Sequence, residues 1–174
     1  MANEVELYSR FEALENRMAQ LYLAFYERFK HQPELAKFWS EVALEEMQHA
    51  SILRYCIEQR SFSPDSIDSS VSDRIEGLVD TVAALARKPD LTVDEAFYAS
   101  LLVEASELDD VYSQLAKTLI ANHVLLYDAI QAGLHAHHER FADAADRFLR
   151  DPAFVAAFRN LSKKHGERRR GNAA

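Results

Sequence analysis

Ionisable side chains occupy positions in four stretches of the chain where the surrounding pattern calls for an apolar residue. Each lies three or four residues from an apolar member of its own helical stripe, and the residues are Glu15, Glu46, His49, Glu104 and His138. Burying an unpaired carboxylate costs several kcal/mol or keeps it protonated. Because all four stretches share this feature, a common compensation is required. A pair of metal ions bound by carboxylate oxygens and imidazole nitrogens would supply it.

Two motifs place ligand-type side chains one helical turn apart. They are Glu46-Met-Gln-His49 and Glu104-Ala-Ser-Glu107, and in each the spacing is three residues. Side chains at that spacing lie on one face of a helix and can converge on one centre. Either motif alone is equally typical of a solvated helix surface. Only their combination over four helices predicts a metal site.

The remaining imidazoles and two neighbouring side chains leave alternatives open. His135-Ala-His-His138 offers two histidines one turn apart, whereas the residue between them, His137, is expected to face solvent. Glu45 would replace Glu46 if the helical phase were shifted by one residue. Tyr22 either bonds a ligand carboxylate or serves in electron transfer, or is a core residue with a satisfied hydroxyl. The residues assigned to the surface or the core without a role in chemistry are His31, His123, His165, Trp39 and Cys56.

Apolar residues recur at spacings of three and four through most of the chain, which predicts an all-α fold. We predict long helices over residues 4–30, 33–60, from 92 to a break near 121–123, and from there to 149, with a terminal helix from 152. The segment 61–94 is interpreted as a crossover that carries a short helix near 75–85. A single long crossover after the second helix is the connectivity of ferritin-like four-helix bundles.

Composition limits the classes of function. The chain has 174 residues, enough for one domain, and we place the bundle at 1–165 with a basic, flexible tail at 166–174. The net charge of −8 argues against nucleic acid as the main ligand. A single cysteine excludes a disulfide framework, and neither a secretory signal nor an apolar run long enough to span a membrane is present. We therefore expect a cytoplasmic protein with no membrane partner.

The motifs resemble those of the ferritin-like superfamily, and most of all those of the rubrerythrin family. The resemblance rests on Glu15, Glu46-Met-Gln-His49 and Glu104-Ala-Ser-Glu107 and covers about residues 4–149. It implies a di-iron centre, with manganese or zinc as alternative metals. Glu46 and Glu104 would bridge the metals and be the catalytic residues. The terminal ligands would be Glu15 with His49, and Glu107 or His135 with His138.

The resemblance also implies an activity and partners. Family members reduce hydrogen peroxide or dioxygen with oxidation of ferrous iron, and they commonly form homodimers. This chain departs from the family in two ways. The glutamate of the fourth helix is replaced by His135, and the single cysteine cannot build a rubredoxin-like module. Electrons would then come from an external donor protein or from ferrous iron itself.

Two other hypotheses fit the same residues. One is an iron-binding or storage protein with ferroxidase activity that works within a larger assembly. The other is a bundle whose metal site has degenerated, which leaves an interaction domain with buried carboxylates of raised pKa.

Overall fold

The computed structural model describes residues 2–62, 69–106 and 108–172, and the side chains of residues 2, 3, 69, 108–110, 120–122 and 165–172 lie outside this description. Within these ranges the protein is helical and has no strand. The helices are α1 (Ala2–Phe29), α2 (Pro33–Glu58), α3 (Ser69–Ala86), α4 (Val93–Glu104), α5 (Leu108–Ala116), α6 (Ile120–Phe148) and α7 (Pro152–Asn172). The predicted all-α class is confirmed.

Helices α1 and α2 form an antiparallel pair. Glu12 of α1 accepts from Arg54 of α2 at 2.8 Å, and Tyr22 of α1 stacks on Trp39 of α2 with ring centroids 5.7 Å apart. The residue numbers therefore rise along α1 as they fall along α2. Pro33 occupies the first turn of α2, where its missing N–H costs no helical hydrogen bond. The short turn before it leaves the two apolar stripes facing each other.

The crossover after α2 contains the predicted short helix, which the structure extends to Ser69–Ala86 as α3. Arginines of α1 hold this helix in place: Arg10 bonds Asp73 at 2.7 Å and Glu76 at 2.9 Å, and Arg17 bonds Asp80. Its apolar side packs on α1 and α4. The described part of this segment from α3 onward, residues 69–94, is therefore packed against the other helices.

The third long helix is interrupted, which corrects the prediction of a continuous one. Helix α4 starts at the predicted capping box, in which Thr92 Oγ1 accepts from the Glu95 N–H and Glu95 accepts from the Thr92 N–H. It ends at Glu104, where the Ser106 N–H turns back to the Val103 carbonyl at 2.8 Å. Neither Gly nor Pro stands at this break, and the apolar periodicity of the sequence continues across it.

The break predicted near 121–123 is present at the start of the fourth helix. A 3-10 turn over Lys117–Leu119 precedes α6, and His123 has the non-helical dihedrals φ −143° and ψ 51°. Helix α6 then continues to Phe148, one residue short of the predicted end. The proposed tail boundary at residue 166 falls inside α7, in the part whose side chains are not described.

Contacts between the long helices define their directions. Tyr8 donates to the Leu115 carbonyl and Tyr22 to Glu104, so α1 runs opposite to α4 and α5. Phe38 stacks on Phe97. Further along α2, the ring of His49 packs against Tyr112. Sequence numbers rise together in these last two pairs, so α2 runs parallel to α4 and α5.

An aromatic cluster fills the core beside the ionisable residues. Its members, each at most 5% exposed, are Tyr22, Phe25, Phe38, Trp39, Phe97, Phe141 and Phe158. Such a dense apolar layer excludes water and raises the cost of any unpaired charge next to it. Cys56 is also fully buried, and burial raises the pKa of its thiol to about 11, consistent with the predicted core role. None of the described helices is long and apolar enough to cross a bilayer.

Candidate metal centre

Four helices bring buried carboxylates and imidazoles to one place in the core. Among the described residues, Glu15, Glu46 and His49 form one group, and Glu46, Glu104 and His137 form another. In each group the candidate ligand atoms all lie within 4.8 Å of one another. Each of these residues is at most 6% exposed. Because Glu46 belongs to both groups, they make up a single continuous site.

The first group joins α1 to α2. His49 Nδ1 donates to Glu46 Oε2 at 3.0 Å and lies 3.6 Å from Glu15 Oε2. Glu15 is completely buried, and neither of its carboxylate oxygens has a hydrogen bond. Burial raises the pKa of Glu15 well above its ordinary value, although His49 acts in the opposite direction. Burial alone would lower the pKa of His49, but Glu15 and Glu46 outweigh it and raise that pKa to about 10.

The second group joins α2, α4 and α6. His137 Nε2 lies 3.0 Å from Glu104 Oε2 and 3.6 Å from Glu46 Oε1. Tyr22 donates its hydroxyl to the other oxygen of Glu104. Burial, together with the neighbouring charge of Glu104, raises the pKa of the Tyr22 phenol well above its ordinary value. Burial opposes protonation of His137, yet the carboxylates, Glu104 foremost, raise the pKa of this imidazole well above its usual range.

A further carboxylate lies on the outer side of His137. His137 Nδ1 donates to Glu45 Oε2 at 2.9 Å, and Arg140 donates to Glu45 Oε1 from Nη2 at 3.0 Å. A second Arg140 nitrogen, Nη1, reaches Glu41 at 3.0 Å. Burial opposes ionisation of Glu45, but the hydrogen bond from His137 and the charge of Arg140 keep the pKa of this carboxyl below its ordinary value. Glu45 is therefore held outside the site, as an ionised partner of His137.

The predicted ligands divide into those the fold brings together and those it does not. Glu15, Glu46, His49 and Glu104 all meet in the two groups. His138 is buried beside them, with Nδ1 donating to the Leu134 carbonyl at 2.8 Å and Nε2 4.0 Å from Glu104 Oε2.

Two further predicted ligands have a different outcome. His135 is partly exposed and directs Nε2 toward Glu139 at 3.4 Å, and neither group includes it. Glu107 lies outside the described residues, so the prediction for it stays open.

The expectation that His137 faces solvent is wrong, because the residue is fully buried and belongs to the second group. The signal was present in the sequence. His137 lies three residues after Leu134 and four before Phe141, so it shares their face as fully as His138 does. The apolar stripe of α6 is wide enough to bury two adjacent positions, whereas the prediction allowed only one. Tyr22 is a core residue, as one hypothesis predicts, and its hydroxyl also bonds a candidate ligand, Glu104.

The donor set suits a first-row transition metal. It comprises three buried carboxylates and two imidazoles, and oxygen and nitrogen donors of this kind bind iron, manganese and zinc. The fully buried Glu15 carboxylate, whose oxygens have no hydrogen bond, is the clearest sign of fit. A cation between Glu15, Glu46 and His49 would compensate the burial that now disfavours ionisation of Glu15.

Comparison of the chain with protein-family models, with curated proteins and with solved structures finds no match. The arrangement of the buried side chains is therefore the basis for assigning a function.

Proposed function

We propose that this protein is a ferritin-like bundle with a di-iron carboxylate site of the rubrerythrin type. Its activity would be reduction of hydrogen peroxide or dioxygen, coupled to oxidation of ferrous iron. The observation that carries the proposal is the shared position of Glu46 between two buried ligand groups. A carboxylate with one group on each side has the place expected of a residue that bridges two metal ions.

The helix directions support the same fold. If α1 is taken as up, α2 and α4–α5 run down, since α1 opposes both. Glu45 bonds His137 and Glu41 bonds Arg140, so the residue numbers fall along α2 as they rise along α6. Helix α6 is therefore antiparallel to α2 and runs up. An up-down-down-up order requires one long crossover, and the packed segment around α3 is of the right length for it.

Each protein side chain has a defined part in this proposal. Glu15 and His49 would hold one iron, Glu104 and His137 would hold the other, and Glu46 would contact both. Of the two bridges that the resemblance implies, only Glu46 belongs to both groups of described residues. When bound, the iron pair would supply electrons by passing between the ferrous and ferric states. Tyr22 restrains Glu104 through its hydroxyl, and the aromatic cluster keeps water from the carboxylates.

The histidines of α6 distinguish this site from the family pattern. Where the family has a glutamate and a histidine on this helix, the chain carries His135, His137 and His138, of which two are buried. Replacing a carboxylate by a neutral imidazole removes one negative charge from the site. We therefore expect weaker stabilisation of the ferric state than in a site with the additional glutamate.

The first test is the metal content of protein purified without chelators or an affinity tag. Inductively coupled plasma mass spectrometry should find about two metal ions per chain after anaerobic loading with ferrous iron and desalting. Addition of hydrogen peroxide to the loaded protein should then oxidise the iron, with faster loss of peroxide than in a Glu46→Gln variant. Manganese and zinc should be measured in the same samples, since the donor set also suits them.

Each alternative has a different outcome in these measurements. One metal ion per chain would contradict a di-metal site. No metal ion, either in the protein as purified or after loading with ferrous iron, would overturn the proposal and leave an interaction bundle. Light scattering distinguishes the two remaining alternatives, iron storage and peroxide reduction. A large assembly that takes up iron far beyond two ions per chain would identify storage, whereas a dimer with peroxide turnover supports the proposed activity.

A further inference from the structure

His137 is the only imidazole of the described site for which the structure gives carboxylate contacts at both ring nitrogens. Nε2 faces Glu104 at 3.0 Å and Glu46 at 3.6 Å, and Nδ1 faces Glu45 at 2.9 Å. His49 differs, because it turns the same nitrogen, Nδ1, toward both Glu46 and Glu15. The two halves of the site are therefore built differently around their histidines.

Glu45 is itself restrained. Its Oε1 accepts from Arg140 Nε at 3.1 Å and from Arg140 Nη2 at 3.0 Å, which leaves Oε2 directed at His137. Arg140 is fixed in turn by Glu41, one turn earlier on α2. Charge-assisted bonds from a planar guanidinium hold a carboxylate in one orientation better than a single contact does.

We propose that Glu45, held by Arg140, is a positioning residue that turns His137 so that Nε2 is the metal-binding atom of the second group. This inference rests on the proposed metal site. A ligating imidazole carries its remaining proton on the other nitrogen, and here that Nδ1–H has Glu45 as its acceptor. Because His137 is fully buried, loss of the acceptor would leave the N–H without a partner. The ring would then reorient or bind the metal less tightly.

The structure offers a matched control on α1. Glu12 is 17% exposed and paired with Arg54, and Glu45 is 20% exposed and paired with Arg140. Both pairs connect neighbouring helices, but among their described contacts only Glu45 also bonds a histidine. Glu45→Gln and Glu12→Gln thus remove equivalent ion pairs and differ in the contact with the candidate ligand. In Glu45→Gln the two Arg140 donors should retain the remaining carbonyl oxygen, so that the amide NH2 group faces His137 Nδ1 and that nitrogen loses its acceptor.

The experiment measures stepwise Zn²⁺ affinity by competition with a chromophoric chelator, in the full chain. Glu45→Gln should weaken one of the two binding steps by about 10- to 100-fold and leave the other unchanged. Glu12→Gln should change neither step by more than about threefold. Arg140→Gln, which keeps the acceptor but loosens it, should give a smaller loss, and Glu45→Asp should recover part of the affinity. The Arg140 variant also replaces Glu45→Gln if that protein does not fold.

A spectroscopic readout separates positioning from a general loss of stability. In the Zn²⁺-loaded wild type, long-range ¹H–¹⁵N spectra should show His137 metal-bound through Nε2 with a protected proton on Nδ1. In Glu45→Gln that proton should exchange faster, or the binding nitrogen should change. Two Zn²⁺ ions bound with equal affinity by wild type and Glu45→Gln would overturn the positioning role alone. A wild type that binds no Zn²⁺, Co²⁺ or Fe²⁺ would overturn this inference together with the proposed function.

Discussion

Glu104 Oε2 and His137 Nε2 lie 3.0 Å apart, although the two residues are 33 positions apart in the chain. The contact joins α4 to α6, and Tyr22 holds the second oxygen of Glu104 from α1. Three helices therefore meet at one carboxylate. This convergence makes His137 part of the candidate site.

Substitution of Glu46 should have a larger effect on metal content than substitution of Glu15. Glu46 belongs to both ligand groups, whereas Glu15 belongs to one. We expect iron-loaded Glu46→Gln to retain almost no metal and Glu15→Gln to retain about one ion per chain. Inductively coupled plasma mass spectrometry on desalted protein measures both, with Glu12→Gln as the control that keeps wild-type content. Equal losses in the Glu15 and Glu46 variants would contradict the shared position of Glu46.

The metal-free protein should lose stability as the pH rises. Burial alone would lower the pKa of His49, but the carboxylates of Glu15 and Glu46 outweigh it and raise this pKa from 6.5 to about 10. The folded state therefore binds a proton that the unfolded state releases. The contribution of His49 to the free energy of unfolding is complete below pH 6.5 and is lost as the pH rises through about 10.

Urea unfolding between pH 6.5 and 10 in the presence of a chelator tests this dependence. The slope of unfolding free energy against pH should be smaller in His49→Gln, which lacks the titrating group. An increase in stability with pH in the wild type would show that the buried cluster is not protonated as described.

Removal of the Tyr22 hydroxyl should destabilise the metal-free protein. Tyr22 is fully buried and donates to Glu104, so Tyr22→Phe leaves a buried carboxylate oxygen without this donor while the ring keeps its stacking on Trp39. We expect a loss of about 1–3 kcal/mol in the free energy of unfolding. Chemical denaturation measures it, and Tyr98→Phe, at a residue 43% exposed, should stay within about 0.5 kcal/mol of wild type. A Tyr22→Phe protein as stable as wild type would exclude an energetic role for the bond.

Glycine at position 60 should stabilise the fold. Arg60 has φ 51°, the left-handed conformation, and follows the end of α2 where the Ser61 N–H bonds the Cys56 carbonyl at 2.9 Å. A residue with a Cβ is strained there, and glycine is the usual occupant of this position. Arg60→Gly should raise the free energy of unfolding by about 0.5–1 kcal/mol. Arg60→Ala keeps the Cβ and should bring no gain; if both variants gave the same stability, the strain argument would fail.

Much of the helical organisation could be predicted because it depends on local rules. The start of α2 at Pro33 and the capping box at Thr92 are written in a few adjacent residues. The break after Glu104 could not be predicted, since no Gly or Pro stands there and the apolar period continues across it. The buried position of His137 was missed for a related reason. Periodicity gives the direction of an apolar face, but the width of the face depends on what packs against it.

The amino-acid sequence by itself determined that the chain forms long amphipathic helices and that Glu15, Glu46, His49 and Glu104 interrupt their apolar faces. Spacing along one helix establishes such facts, because neighbours three and four residues apart share a side. Only the tertiary structure decided which of the α6 histidines meets these carboxylates and that Glu45 stands behind His137. Those contacts depend on the rotation of one helix against another, and that rotation is set by packing over the whole interface rather than by any local pattern.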